Sequence, residues 1–130
     1  AGFAGLSMGS TFQQKGVPFT IYERDTQIGG NWQQGTYSGV HMISSRNITE
    51  ISDYPMPSHY PDFPSAEQVR EYLINYAEHF KLMENIKFKT EVTRAHPILD
   101  GKQWTVTLSC GKTIRYKGVI VCIGNNWNPK

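Results

Sequence analysis

From Ser65 to Phe80 the apolar side chains return every three or four positions, at Val69, Tyr72, Leu73, Tyr76, Ala77 and Phe80. That period lays one apolar stripe along a helix. Ser65-Ala66-Glu67-Gln68 supplies a capping box at its start. The stripe reads as core, Tyr72 and Tyr76 included, and neither tyrosine is given a functional role. A looser pattern predicts a helix from Gly5 to Gly16, with Leu6, Met8 and Phe12 apolar and Gly9 small enough to let a neighbour approach. Gly16 and Pro18 end it.

The other periods are those of strands. Phe19-Thr20-Ile21-Tyr22 reads as a short strand that stops on the charges Glu23, Arg24 and Asp25. Ile86 to Ala95, Trp104 to Leu108 and Thr113 to Tyr116 read as a meander, the last two joined by the turn Ser109-Cys110-Gly111-Lys112. Val119 to Cys122 is unbroken and β-branched, the pattern of a parallel strand covered on both faces, and Gly124 closes it. Between Asp25 and Pro64 there is little periodicity. Glycines at 29, 30, 35 and 39 give way to prolines at 55, 57, 61 and 64 among Trp32, Tyr37, Tyr54, Tyr60 and Phe63. An excursion of that length, so rich in aromatics, is expected to be packed and functional.

Helix followed by strand completes a βαβ unit whose first strand would precede Ala1. The fold class is therefore α/β: a Rossmann-like domain, a parallel sheet with a β-meander, incomplete because the first strand is missing. Without that strand, Val119 to Cys122 and Phe19 to Tyr22 are expected to be exposed. Residues 1–130 by themselves are expected to be unstable.

Composition narrows the partners. Thirteen basic and eleven acidic side chains are spread along the 130 residues without a basic run, which argues against nucleic acid. The longest apolar run, Val119 to Ile123, is far short of the roughly 20 residues of a membrane span. Cys110 and Cys122 lack paired spacing and suit a reducing, cytoplasmic setting. Asn47-Ile48-Thr49 has sequon form but no meaning without secretion. His41, His59, His79 and His96 have no ligand spacing, so no metal site is expected.

The candidate chemistry begins at Gly2-Phe3-Ala4-Gly5. A glycine turn opening a helix lets the backbone approach a pyrophosphate, whose charge meets free amides and the positive end of the helix dipole. Gly2 and Gly5 fit the second and third glycines of GxGxxG. Glu23 follows Gly5 by 18 residues at the end of the next strand, where an acceptor for ribose hydroxyls belongs at a spacing of about 20. A 2′-phosphate there would be repelled, which disfavours NADP at this particular site. After Glu23 the chain leaves βα alternation for Gly29-Gly30-Asn31-Trp32 and the aromatic excursion, an order that suits FAD rather than NAD.

Glu23-Arg24, Gly29-Gly30-Asn31-Trp32, Ser52-Asp53-Tyr54-Pro55-Met56-Pro57, Tyr60-Pro61-Asp62-Phe63 and Val121-Cys122-Ile123-Gly124 together resemble the flavin-containing monooxygenases, over essentially all 130 residues. The resemblance implies an FAD site lined by Gly2, Phe3, Ala4, Gly5, Glu23, Arg24, Gly30, Asn31 and Trp32, with Ser44 reaching the flavin. It implies that residues 1–130 are a partial FAD-binding domain and that the NADPH-binding domain lies outside them. In such enzymes NADPH reduces FAD, dioxygen adds to give a flavin hydroperoxide, and one oxygen passes to a soft nitrogen or sulfur nucleophile. The partners are then a small-molecule substrate and dioxygen, and no side chain here is required to be catalytic. One position departs from the pattern. Where many members carry an asparagine this chain has Ile43, followed by Ser44, Ser45 and Arg46, so an amide donor is lost. The alternatives are a Baeyer–Villiger-type monooxygenase acting on ketones, or a truncated FAD-binding module without activity of its own.

Overall fold

The structure, a computed structural model, describes residues 1–98 and 101–124. Among the described residues four α-helices and five strands follow one another, α1 (Phe3–Gln14), β1 (Ile21–Tyr22), α2 (Asn31–Gln34), α3 (Arg46–Thr49), α4 (Ala66–His79), β2 (Ile86–Lys87), β3 (Val92–Pro97), β4 (Trp104–Leu108) and β5 (Thr113–Tyr116), with a 3-10 turn at Met83–Asn85 between α4 and β2. β1 and β2 pair in parallel, Ile21 opposite Ile86, and β3-β4-β5 form an antiparallel meander. The parallel pair, the meander and the helices between them are the α/β arrangement expected of a partial Rossmann-like domain.

α4 forms where its pattern places it. The Ser65 hydroxyl accepts from the Gln68 amide and the Gln68 side chain accepts from the Ser65 amide, so the capping box is complete. Val69, Tyr72, Leu73, Tyr76 and Ala77 are fully buried. Around them gather Leu6 of α1, Ile28, Met42, Met56 and Tyr60 of the excursion, and Leu82 and Ile86. The excursion is thus packed, as expected. Tyr54 stacks among Tyr72, Tyr76, His79 and Phe80, and backbone bonds from Met42 to Pro64 and from Arg46 to Asp62 fold its two arms together.

Four elements differ from their sequence readings. α1 begins at Phe3 rather than Gly5, because Gly2 is already the cap, and it ends at Gln14. The strand expected over Phe19 to Tyr22 keeps only Ile21 and Tyr22. The one expected over Ile86 to Ala95 is split, with Lys89 at φ 51° turning the chain between β2 and β3. Val119 to Cys122 is not a strand and not covered: Ile120 is 50% and Val121 67% exposed. A strand needs a hydrogen-bonded neighbour. β1 is already paired with β2, and no described strand lies alongside this run.

Candidate functional site

α1 presents its N-terminus without a side-chain cap, since Gly2 offers none. The first four amides of a helix have no acceptor within it. Those of Gly2, Phe3, Ala4 and Gly5 therefore meet whatever sits at this end, where the dipole favours an anion. Gly5 is crowded only lightly, an added Cβ lying 3.8 Å from Cβ of Cys122, while Ala4 is exposed.

Two segments close on this end. The Gly29 amide donates to the Ala1 carbonyl at 3.0 Å, which draws the Gly29-Gly30 turn against the helix start. A Cβ on Gly30 would lie 3.3 Å from the Gly2 Cα, and Gly30 has φ 54° and ψ −125°, a conformation suited to glycine. The second segment carries Glu23, 9% exposed at the end of β1. Its carboxylate accepts from the Asp25 amide at 2.9 Å and pairs with the Ala1 amino group. The Glu23 backbone is gripped on both sides, its amide donating to Lys87 and its carbonyl accepting from Thr90.

The sequence-predicted residues thus separate into four groups. Gly2, Gly5, Gly30 and Glu23 converge, with Phe3 and Ala4 in the first turn of α1. Asn31 and Trp32 begin α2, one step from Gly30, and Trp32 packs against the apolar core. Arg24 is adjacent to Glu23 but exposed. Ser44 stands apart: its hydroxyl bonds Thr49 at 2.6 Å, within its own loop. Next to it Arg46 donates to the Pro57 carbonyl at 3.1 Å while its Nε is buried without a partner.

Sequence reasoning passed over Gly29, whose φ of 143° and closeness to Gln33 admit no side chain. The Gly-Gly pair was the signal for it. It also passed over the tyrosine hydroxyls of α4, which nothing in a helical stripe reveals. Hollows of about 260 and 360 Å³ lie near the far end of α1, lined by Gln13 and Asn85 among others, and do not touch the glycine turn. No group of three or more metal-ligating side chains occurs among the described residues. No described helix is long and apolar enough to cross a membrane.

An uncapped helix start beside a buried carboxylate, closed by a glycine pair, is an arrangement with the shape and charge to suit a dinucleotide. The amides fit a diphosphate, Glu23 fits ribose hydroxyls, and the cleared Gly2–Gly30 approach is space a Cβ would fill. Residues 1–130 match the flavin-binding monooxygenase-like family throughout, and the chain belongs to it. It is 35% identical to human flavin-containing monooxygenase 5 over 98% of its own length, and spans 27% of that relative. Among solved structures it resembles cyclohexanone monooxygenase bound to epsilon-caprolactone, with a TM-score of 0.85 and 26% identity over 95% of this chain and 25% of that one. It also resembles S-allyl-L-cysteine S-oxygenase from Allium sativum, with a TM-score of 0.83 and 25% identity over 95% of this chain and 35% of that one.

Proposed function

We propose that residues 1–130 are part of the FAD-binding domain of an NADPH- and dioxygen-dependent monooxygenase that oxygenates a soft nitrogen or sulfur nucleophile in a cytoplasmic setting. NADPH is held by a domain outside these residues. The observation that carries the reading is the buried Glu23 carboxylate beside the uncapped start of α1. When bound, FAD supplies the redox chemistry toward dioxygen, and the protein supplies position and shielding. The amides of Phe3, Ala4 and Gly5 hold the diphosphate. Glu23 takes the ribose hydroxyls. Gly30 lets the turn approach, and Asn31, Trp32, Arg24 and Ser44 flank the flavin. No side chain of this chain is asked to act as acid, base or nucleophile.

A second reading, oxygenation of ketones, is favoured by Ile43. Where many family members carry an amide, this side chain is apolar and 99% exposed, and the likeness to cyclohexanone monooxygenase points the same way. Purified full-length enzyme decides between them. NADPH oxidation coupled to S- or N-oxide formation supports the first, and lactone or ester formation from ketones the second. Glu23→Ala is expected to lose bound flavin; full retention of FAD would remove Glu23 from the site.

A further inference from the structure

We propose that the Tyr76 hydroxyl is a positioning residue for the dinucleotide grip, fixing the seat of α1 through Ser10 so that the amides of Phe3 to Gly5 stay aimed at a diphosphate. The inference rests on the FAD reading above and assigns a role to a residue that its stripe marks only as core.

The Ser10 hydroxyl is 1% exposed and Tyr76 fully buried, and their oxygens stand 2.5 Å apart. Each hydroxyl has one proton to give. Ser10 also lies 2.9 Å from the Ser7 carbonyl, an acceptor only. The arrangement that satisfies both short contacts has Ser10 donating to Ser7 and Tyr76 donating to Ser10. Asp53 then meets Tyr76 only at 3.4 Å, and its other oxygen accepts from Gln14 at 3.2 Å. Ser10 and Gln14 are four residues apart and share one face of α1. That face is tied at two points to α4 and to the Asp53-Tyr54 turn.

These ties matter because packing alone holds α1 weakly. Its only large side chain with full burial is Leu6; the other buried positions are Gly9 and Ser10. With so few apolar knobs, slide and roll of the helix are set by polar anchors. Ser10 lies seven residues from Phe3, about 10 Å along the axis. A single straight helix carries an error at Ser10 to the amides at its start. Tyr72, one turn earlier on α4, makes no such tie: its hydroxyl accepts from the Ile51 amide and donates to the Tyr54 carbonyl.

The test uses the full-length protein and measures dissociation constants for FAD and for ADP, which shares the diphosphate and ribose. Tyr76→Phe and Ser10→Ala are each expected to weaken both ligands by about fivefold. The double variant should be no worse than the poorer single one, because one bond is removed. Tyr72→Phe, which keeps its ring and costs comparable thermal stability, should leave both constants within about twofold. Equal behaviour of Tyr76→Phe and Tyr72→Phe, or additive loss in the double variant, overturns the inference and leaves the FAD reading standing. A wild type that binds neither FAD nor ADP overturns both.

Discussion

Gly9 of α1 and Ile21 of β1 meet so closely that a Cβ on Gly9 would stand 2.9 Å from the Ile21 Cδ1. Phe19 and Leu82 close the remaining sides at 3.4 and 3.5 Å. The Ile21 side chain therefore lies directly against the α1 backbone, and this contact sets how closely α1 approaches β1.

Gly9→Val is expected to destabilise the fold by about 1–3 kcal/mol, since its methyls have no free volume to enter. Gly9→Ala should be near neutral, as the gain of about 1 kcal/mol in helix propensity offsets a contact that the end of Ile21 can relieve. Thermal melts of the two variants check this. A valine variant as stable as the parent would mean that α1 does not lie against β1.

Gly30→Ala places a Cβ 3.3 Å from the backbone at Gly2, which cannot yield as a side chain can. Gly39 offers the control, with φ 84° but nothing within 4 Å of its added Cβ. Both alanine variants should lose about 1–3 kcal/mol to backbone strain. Only Gly30→Ala should also weaken flavin retention, measured by absorbance after gel filtration. Equal retention in the two would separate the Gly29-Gly30 turn from the site.

Alkaline pH is expected to unfold the chain through its tyrosines. Burial, with the Tyr116 hydroxyl 2.6 Å away, pushes Tyr22 up to about 12. Burial and the neighbouring Glu71 do the same for Tyr60, and burial for Tyr72 against the opposing bond from Ile51. The folded chain holds these protons more tightly than the unfolded chain, whose phenols ionise near 10. The stabilisation is present in full below pH 10 and is lost as pH rises from about 10 to 12. Urea midpoints at pH 8, 9 and 11.5 should stay level between the first two and fall at the third. A midpoint that is the same at all three would show these phenols to be open to solvent.

The elements read best from sequence were those whose local signals agreed. Ser65 to Phe80 had a cap, a period and a length, and α4 has all three. The turn at Ser109 to Lys112 and the strands it joins were equally plain. Val119 to Cys122 was misread because an unbroken β-branched run reports what a segment could pair with, not that a partner stands beside it. Lys89, at positive φ inside the expected strand Ile86 to Ala95, left no mark on the pattern at all.

By itself the sequence determined the glycine turn from Gly2 to Gly5, the carboxylate 18 residues beyond Gly5, the glycine pair and the family they belong to, because each depends on residue type at a fixed spacing. Only the tertiary structure decided that Gly30 closes on Gly2, that Glu23 is buried beside α1, that the Ser44 hydroxyl bonds Thr49, and that Tyr76 reaches Ser10 across 66 positions. Such contacts join distant residues through the packing of whole elements, and a local pattern carries no record of which hydroxyl, carbonyl or glycine will face which.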